Sequence, residues 1–112
     1  MIFGKPKQVT VQVQANVAWS VARDPQSGLW VGVCEPLGLN AIGETWIEFQ
    51  QCAAEALGLL LVDLFEAGEL DQFLRERGWS AQTPLPPRGK RVRFDVPFKV
   101  VERSDVRELA RV

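Results

Sequence analysis

An alternation of apolar and polar residues runs almost unbroken from Gln8 to Val21. The apolar residues occupy every second position: Val9, Val11, Val13, Ala15, Val17, Trp19 and Val21. Because successive side chains of a β-strand point to opposite faces, this period predicts one long strand with one buried face, over about residues 8–21. A chain that begins in this way needs partner strands and a covering layer.

The next segment predicts a hairpin. Asp24-Pro25-Gln26-Ser27-Gly28 has the composition of a turn, and a second strand over residues 29–35 would pair back on the first. We expect Leu29, Val31 and Val33 to continue the apolar face, with Trp30 and Cys34 on the other side. After a bend at residues 36–38, a short third strand is predicted at 39–42.

A helix is predicted to begin at Thr45. Thr45 and Glu48 form a T-x-x-E capping box, in which the threonine oxygen accepts from the Glu48 amide and the glutamate reaches back to the cap amide. The apolar residues that follow recur at helical spacing: Trp46, Phe49, Ala53, Ala56, Leu57, Leu60 and Leu64. The pattern predicts helices over about 46–66 and 70–77, the first packed on the sheet through one face and the second stopped by Gly78.

The C-terminal region is predicted to add a fourth strand. Residues 83–90 form a proline-rich linker, and beyond it Val92, Phe94, Val96, Phe98 and Val100 alternate with polar residues. Pro97 cannot donate a ladder hydrogen bond, so this strand should lie at a sheet edge or carry a bulge. The expected fold is α+β in the order β-β-β-α-(α)-β, an antiparallel sheet with one main helix on one face. We divide it into a core (1–82), the linker (83–90) and a C-terminal strand with a basic tail (91–112).

Length and composition fit one soluble domain. The chain has 112 residues, of which 46% are hydrophobic and 24% charged. No apolar run approaches the roughly 18 residues that span a bilayer, and the first residues lack the hydrophobic stretch of a secretory signal. We therefore expect a cytoplasmic protein.

Several kinds of chemistry are disfavoured by what the sequence lacks. It contains no histidine, so no familiar base is present to activate a serine or cysteine nucleophile. Cys34 and Cys52 lie 18 residues apart without a CxxC pattern, which indicates a reduced pair of small core residues rather than a disulfide or a metal site. We expect no cofactor and no catalytic residues.

Carboxylates and the basic tail leave two alternatives open. Acidic residues near the strand ends and the helix start could hold magnesium, as in a metal-dependent nuclease of RNase-H-like shape; they are Asp24, Glu35, Glu44, Glu48 and Glu55. Residues 1–87 carry five basic against ten acidic residues, whereas residues 88–112 carry eight basic against four acidic ones. A nucleic-acid-binding protein would use that tail, chiefly Arg88, Lys90, Arg91, Arg93 and Arg103.

The order of these turns and caps resembles the HicB-like antitoxin family over about residues 16–70. The matching features are Asp24 to Gly28 followed by Trp30, then Pro36-Leu37-Gly38, then Gly43-Glu44-Thr45 with Glu48, and Glu55-Ala56-Leu57. The resemblance implies a domain related in shape to a truncated RNase-H core without its catalytic acids. It also implies that the domain binds and neutralises a small HicA-type toxin that cleaves messenger RNA.

From these sequence features we select candidate residues for partner binding and for structural turns and caps. The candidate partner contacts are Trp30, Glu35, Gln12 and Gln14, and the structural turn and cap residues are Gly28, Gly38, Gly43, Thr45 and Glu48. We also expect a homodimer or larger assembly through a sheet edge, since unpaired edges attract other strands.

Overall fold

The computed structural model describes the backbone of residues 8–111 and the side chains of residues 8–109. The strands are β1 (Val9–Gln14), β2 (Ala18–Arg23), β3 (Trp30–Cys34), β4 (Leu39–Gly43), β5 (Ser80–Ala81), β6 (Val92–Asp95) and β7 (Lys99–Glu102). The helices are α1 (Trp46–Glu66) and α2 (Leu70–Arg77), with short 3₁₀-helices at Glu35–Leu37 and Val106–Arg111. The α+β class and both predicted helices are confirmed.

The chain forms two compact units, each built from distant segments. Unit 1 contains the described residues up to Ala15 together with Gly58–Val96, and unit 2 contains Asn16–Leu57 and the described residues from Pro97 onward. The proline-rich segment at residues 83–90 lies within unit 1. Helix α1 supplies residues to both units.

Unit 1 is a three-stranded sheet in the order β5-β1-β6. Strand β1 runs parallel to β6, with Val11 opposite Phe94, and antiparallel to β5. The C-terminal half of α1 packs on this sheet through Phe65, whose ring centroid lies 6.0 Å from that of Phe94. Helix α2 buries Leu70 and Leu74 and ends at Gly78, which has a left-handed φ of 70°.

Unit 2 is a four-stranded sheet in the order β4-β3-β2-β7. Strands β2, β3 and β4 form an antiparallel meander, and β7 adds to β2 in parallel. The N-terminal half of α1 packs on one face, where Phe49, Ala53 and Leu57 are buried. The expected wholly antiparallel sheet is therefore wrong: both C-terminal strands pair in parallel, because the long helical connection lets the chain return in the same direction.

The two long strands predicted from the alternation are each broken. Residues 15–17 separate β1 from β2, and residues 96–98 separate β6 from β7. The last pair between β1 and β6 is Gln12 with Asp95, and the first pair between β2 and β7 is Ala18 with Lys99. The segment between these pairs is residues 13–17 on one side and the shorter segment 96–98 on the other. A single ladder cannot continue because these segments differ in length. In the first segment the inward positions remain buried, apart from Val9, which is exposed, and Ala15, which is half-buried. In the C-terminal segment Val92, Phe94 and Val96 are buried, whereas Phe98 and Val100 are half-buried.

Pro97 lies in the break of the C-terminal strand, and both β6 and β7 lie at sheet edges, as its missing amide hydrogen predicts. These strands cover β1 and β2 within the same chain.

Among residues 8–111, neither helix is long and apolar enough to cross a membrane.

Candidate protein-binding face

The helix-facing side of the unit 2 sheet is organised around Phe49, which is completely buried. Its ring meets Trp19 edge-on at a centroid distance of 6.2 Å and stacks on Trp46 at 5.6 Å. Two glycines on adjacent strands, Gly32 and Gly43, leave the space that it occupies: a Cβ at Gly32 would lie 2.5 Å from the Phe49 ring. The side of the sheet toward α1 is therefore closed by tight packing.

The predicted cap fixes the turn from β4 into α1. The Glu48 amide donates to Thr45 Oγ1 at 3.1 Å, as the capping box requires. Glu48 Oε2 accepts from the amide of Glu44 at 3.0 Å, one residue earlier than predicted. Gly43 was expected to be a turn residue, but its conformation is ordinary, and a side chain there would collide with the backbone of Phe49. Glycine is needed here for close approach of two backbones.

Gly28 and Gly38 do serve the predicted turns. Both have left-handed backbone conformations, with φ of 74° and 66°, which favour glycine. The Gly28 amide donates to the Asp24 carbonyl, and the Asp24 carboxylate accepts from Gln26 and Ser27, which closes the hairpin. The Gly38 amide donates to the Glu35 carbonyl at 3.0 Å and ends the first 3₁₀-helix.

The opposite side of the unit 2 sheet is partly open. We define the open face as the exposed side chains that point away from α1, namely Ile42 and Val101, with the half-buried Val31 and Val33 between them. Ile42 is 55% exposed and Val101 41% exposed. The C-terminal 3₁₀-helix contacts β2 and β3. Ala22, which shares this side, is fully buried. The exposed polar Asn40, which pairs with Val33, lies on the same side of the sheet, and other large apolar side chains are exposed elsewhere, at Val9, Ile47 and Leu59.

The expectation that Val31 and Val33 continue the buried face of β2 is wrong. The hairpin pairs Val21 with Gly32 and Ala22 with Val31, so odd positions of β2 share a face with even positions of β3. Because side chains alternate with a period of two, the turn determines which set faces the helix, and a shift of one residue exchanges the faces. For this reason the open face cannot be identified from the alternation of residues alone.

Trp30 and Glu35 do not form one contact surface. Trp30 is half-buried on the α1 side, edge-on to Trp46 at 4.9 Å and with the Arg23 guanidinium 5.7 Å from its ring centroid. Glu35 is exposed and begins the 3₁₀-helix after the other end of β3. A strand of this length separates the two side chains by roughly 16 Å at about 3.3 Å per residue.

Gln12 and Gln14 lie in unit 1, exposed on β1. Gln14 Oε1 accepts from Gln82 Nε2 at 3.1 Å, and the Gln12 carbonyl accepts from the Gln82 amide at 2.7 Å. These contacts hold the segment after β5 against β1. The four candidate partner contacts are thus divided between the two units.

The basic residues are likewise divided. Arg88, Lys90, Arg91 and Arg93 are exposed in unit 1, whereas Arg103 belongs to unit 2. Arg88 Nη1 donates to the Glu66 carbonyl at 3.4 Å, at the end of α1. Within residues 8–109, the ion pair between Arg107 and Asp105, at 3.0 Å, is exposed. The five basic residues predicted to bind nucleic acid are therefore divided between the two units.

The two cysteines are both free, as expected, and differ in their environments. Cys34 is 2% exposed and Cys52 is half-buried. Burial raises the pKa of the Cys34 thiol, and a hydrogen bond from the Leu37 backbone only partly offsets this effect. In the part of the chain with described side chains, no group of three or more histidine, cysteine, aspartate and glutamate residues is placed to hold a metal ion.

We expect a thiol reagent at neutral pH to modify Cys52 first and Cys34 at least about tenfold more slowly, since Cys34 is enclosed and its burial raises the pKa of its thiol. Mass spectrometry of peptides after a short pulse of reagent measures both rates. The same pulse in denaturant is the control and should make the rates similar. Equal reactivity in the folded protein would contradict the burial of Cys34.

Comparison with family models, with curated proteins and with solved structures found no match to this chain.

Proposed function

We propose that this chain is a non-enzymatic protein-binding module of the HicB-like type, which binds and neutralises a small basic toxin that cleaves messenger RNA. The observation that carries the proposal is the open face of unit 2. It exposes two large aliphatic side chains, Ile42 and Val101, on a sheet whose other side is closed by Phe49. Exposed apolar surface of this kind is typical of protein contacts.

Charge supports a basic partner. Unit 2 contains eight acidic residues: Asp24, Glu35, Glu44, Glu48, Glu55, Glu102, Asp105 and Glu108. It contains five basic residues: Arg23, Lys99, Arg103, Arg107 and Arg111. Glu44 directly follows β4, two residues after the exposed Ile42, and Glu35 lies near the other end of this strand, where Cys34 pairs with Leu39. An RNA-cleaving protein needs a positive surface to hold its substrate, and the excess of acidic over basic residues in unit 2 is complementary to such a surface.

The protein-binding module is also proposed to self-associate through a sheet edge and to act in the cytoplasm.

The alternative function, or runner-up, is nucleic-acid binding by the exposed basic residues of unit 1, such as Lys90, Arg91 and Arg93. The two functions differ in salt dependence. Direct contacts to phosphates would give nucleic-acid affinity that falls steeply as salt is added.

The test uses the reading frame adjacent to the gene of this chain. We expect it to encode a small basic protein that stops growth when expressed alone, with loss of messenger RNA, and we expect co-expression of this chain to restore growth. Ile42→Asp should weaken binding of the toxin by at least about tenfold, because it places a charge among the apolar side chains of the open face. Titration calorimetry with the purified proteins measures the affinity.

Ile47→Asp is the matched control. Ile47 belongs to the same unit and is 65% exposed, but it lies on α1 rather than on the open face. It should bind and rescue growth like the original chain. An adjacent toxin that this chain neither binds nor neutralises would contradict the proposal, as would RNA cleavage by this chain alone that Glu35→Gln abolishes. Salt-resistant, sequence-selective DNA binding would favour the runner-up.

A further inference from the structure

The sheet edges of this protein differ in how they are protected against pairing. Strand β6 carries Arg93 and Asp95, and β7 carries Lys99 and Glu102. Strand β5 has only two residues. Strand β4, with the sequence Leu-Asn-Ala-Ile-Gly, has five residues and contains neither charge nor proline. Since charges, proline and short length are the means by which proteins block edge pairing, β4 is the unprotected edge among the strands of residues 8–111.

The hydrogen-bond pattern shows which backbone groups β4 presents. The Asp24 amide donates to the Leu29 carbonyl, which places a hydrogen-bonded pair at the hairpin end of β2 and β3. Because such pairs alternate in antiparallel sheets, the peptide groups of Val31 point toward β2 and those of Gly32 toward β4. Gly32 pairs with Ala41, so the amides and carbonyls of Asn40 and Ile42 point outward from the edge.

The residues that flank β4 have already used their amides. The Gly38 amide donates to the Glu35 carbonyl at 3.0 Å, and the Glu44 amide donates to the Glu48 carboxylate at 3.0 Å. Both belong to the turn and cap that define the ends of the strand. Within the part of the chain that the structure describes, the free pairing groups of this edge are therefore those of Asn40 and Ile42.

We propose that β4 pairs antiparallel with β4 of a second copy of this chain, about a two-fold axis that passes between the two Ala41 residues. In this register Asn40 pairs with Ile42 of the second copy, and Ile42 with Asn40 of the second copy, so every outward group finds a partner. A register centred on Ile42 would oppose Asn40 to Glu44, and one centred on Asn40 would oppose Ile42 to Gly38. In these registers the residue opposite would be Glu44 or Gly38, whose amide already donates a hydrogen bond within its own chain. Each register would therefore lack one hydrogen bond between the two copies.

The side chains and charges of β4 suit this arrangement. The two Ile42 residues lie diagonally across the axis, within reach of each other on the open face. The two Glu44 residues lie at opposite ends of the paired strands, roughly 20 Å apart at about 3.3 Å per residue, so they do not repel strongly at moderate ionic strength. Pairing joins two four-stranded sheets into one and extends the open face across both copies. The inference rests on the self-association in the proposed function and names its edge.

Sedimentation equilibrium of the full chain without any toxin tests this interface. We expect a dimer at micromolar concentration, and we expect Ile42→Lys to raise the dissociation constant by at least about tenfold by placing like charges near the axis. Asn40→Pro removes an outward amide without adding charge and should have the same effect. Ile47→Lys, on the exposed side of α1, is the matched control and should sediment like the original chain. Circular dichroism checks that each variant is folded.

Cysteine cross-linking tests the register. Chains with Asn40→Cys mixed with chains with Ile42→Cys should form a mixed disulfide dimer, because paired residues have Cα atoms about 5.5 Å apart, within disulfide range. Either variant alone should cross-link much less, since its two cysteines would lie diagonally. A monomer at about 100 µM, or a dimer that neither β4 variant weakens, would overturn the proposal. Toxin neutralisation by such a monomer would leave the toxin-binding part of the proposed function intact while ruling out self-association through this interface.

Discussion

Gly43→Ala is expected to destabilise the protein by about 3 kcal/mol or more, the upper end of what an overpacked core costs. A Cβ at this position would lie 2.7 Å from the Cα of Phe49 and 2.9 Å from the carbonyl carbon of Glu48. These are backbone atoms at the first turn of α1, and that turn is held by the cap on Thr45. Neither β4 nor the helix can move away without breaking the cap. Urea unfolding followed by circular dichroism measures the loss.

Gly38→Ala is the control for the general effect of removing a glycine. Its added Cβ would meet no atom within 4 Å, but its φ of 66° is unfavourable for alanine. We expect a cost of about 1 to 2 kcal/mol from the backbone conformation alone. If Gly43→Ala proved no worse than Gly38→Ala, the close approach of β4 to α1 would be wrong.

Phe49→Ala is expected to cost about 3 to 5 kcal/mol, the usual range for an aromatic residue removed from a core. Phe49 is fully buried and contacts Trp19 and Trp46. The cavity would lie directly over Gly32, where nothing can fill it. Ile47→Ala, at an exposed position two residues earlier, should change the free energy of unfolding by no more than about 0.5 kcal/mol.

Combining Phe49→Ala with each glycine replacement separates the two contacts. An added Cβ at Gly32 would meet the Phe49 ring at 2.5 Å and Val21 Cγ2 at 3.2 Å, so removing the ring relieves most of the collision. We expect Gly32→Ala with Phe49→Ala to be less destabilised than the sum of the single changes by about 1 kcal/mol or more. No such relief is expected for Gly43→Ala, because its collision is with backbone atoms. Additive behaviour for both pairs would contradict this geometry.

Local sequence determined the secondary structure of this protein well. The helix over residues 46–66 follows from its cap at Thr45 and its apolar period, and the stop at Gly78 follows from the left-handed conformation that glycine favours. These features depend on residues within one or two turns of each other, so they can be read from the chain alone. Pro97 likewise placed the C-terminal strand at an edge, because its missing donor is a property of the residue itself.

Pairing between distant segments was decided by the tertiary structure. Alternation indicates that Val11 and Val13 share a face, but nothing local shows whether β6 returns parallel or antiparallel to β1. Similarly, the capping box marks the end of β4 but not the collision that makes Gly43 necessary, since that contact arises only when strand and helix backbones meet.

The candidate site depended most strongly on tertiary structure. Residue types predicted Trp30 as a partner contact, whereas the fold places it on the α1 side against Trp46 and exposes Ile42 instead. The hairpin register decides between these outcomes: it pairs Ala22 with Val31 and thereby turns Val31 and Val33 away from the helix. Sequence by itself determined both helices and most of the strand segments, but not the breaks at residues 15–17 and 96–98 or the short strand β5. Only the three-dimensional pairing decided which face is open, because a shift of one residue in register leaves the pattern of a strand unchanged while exchanging its two faces.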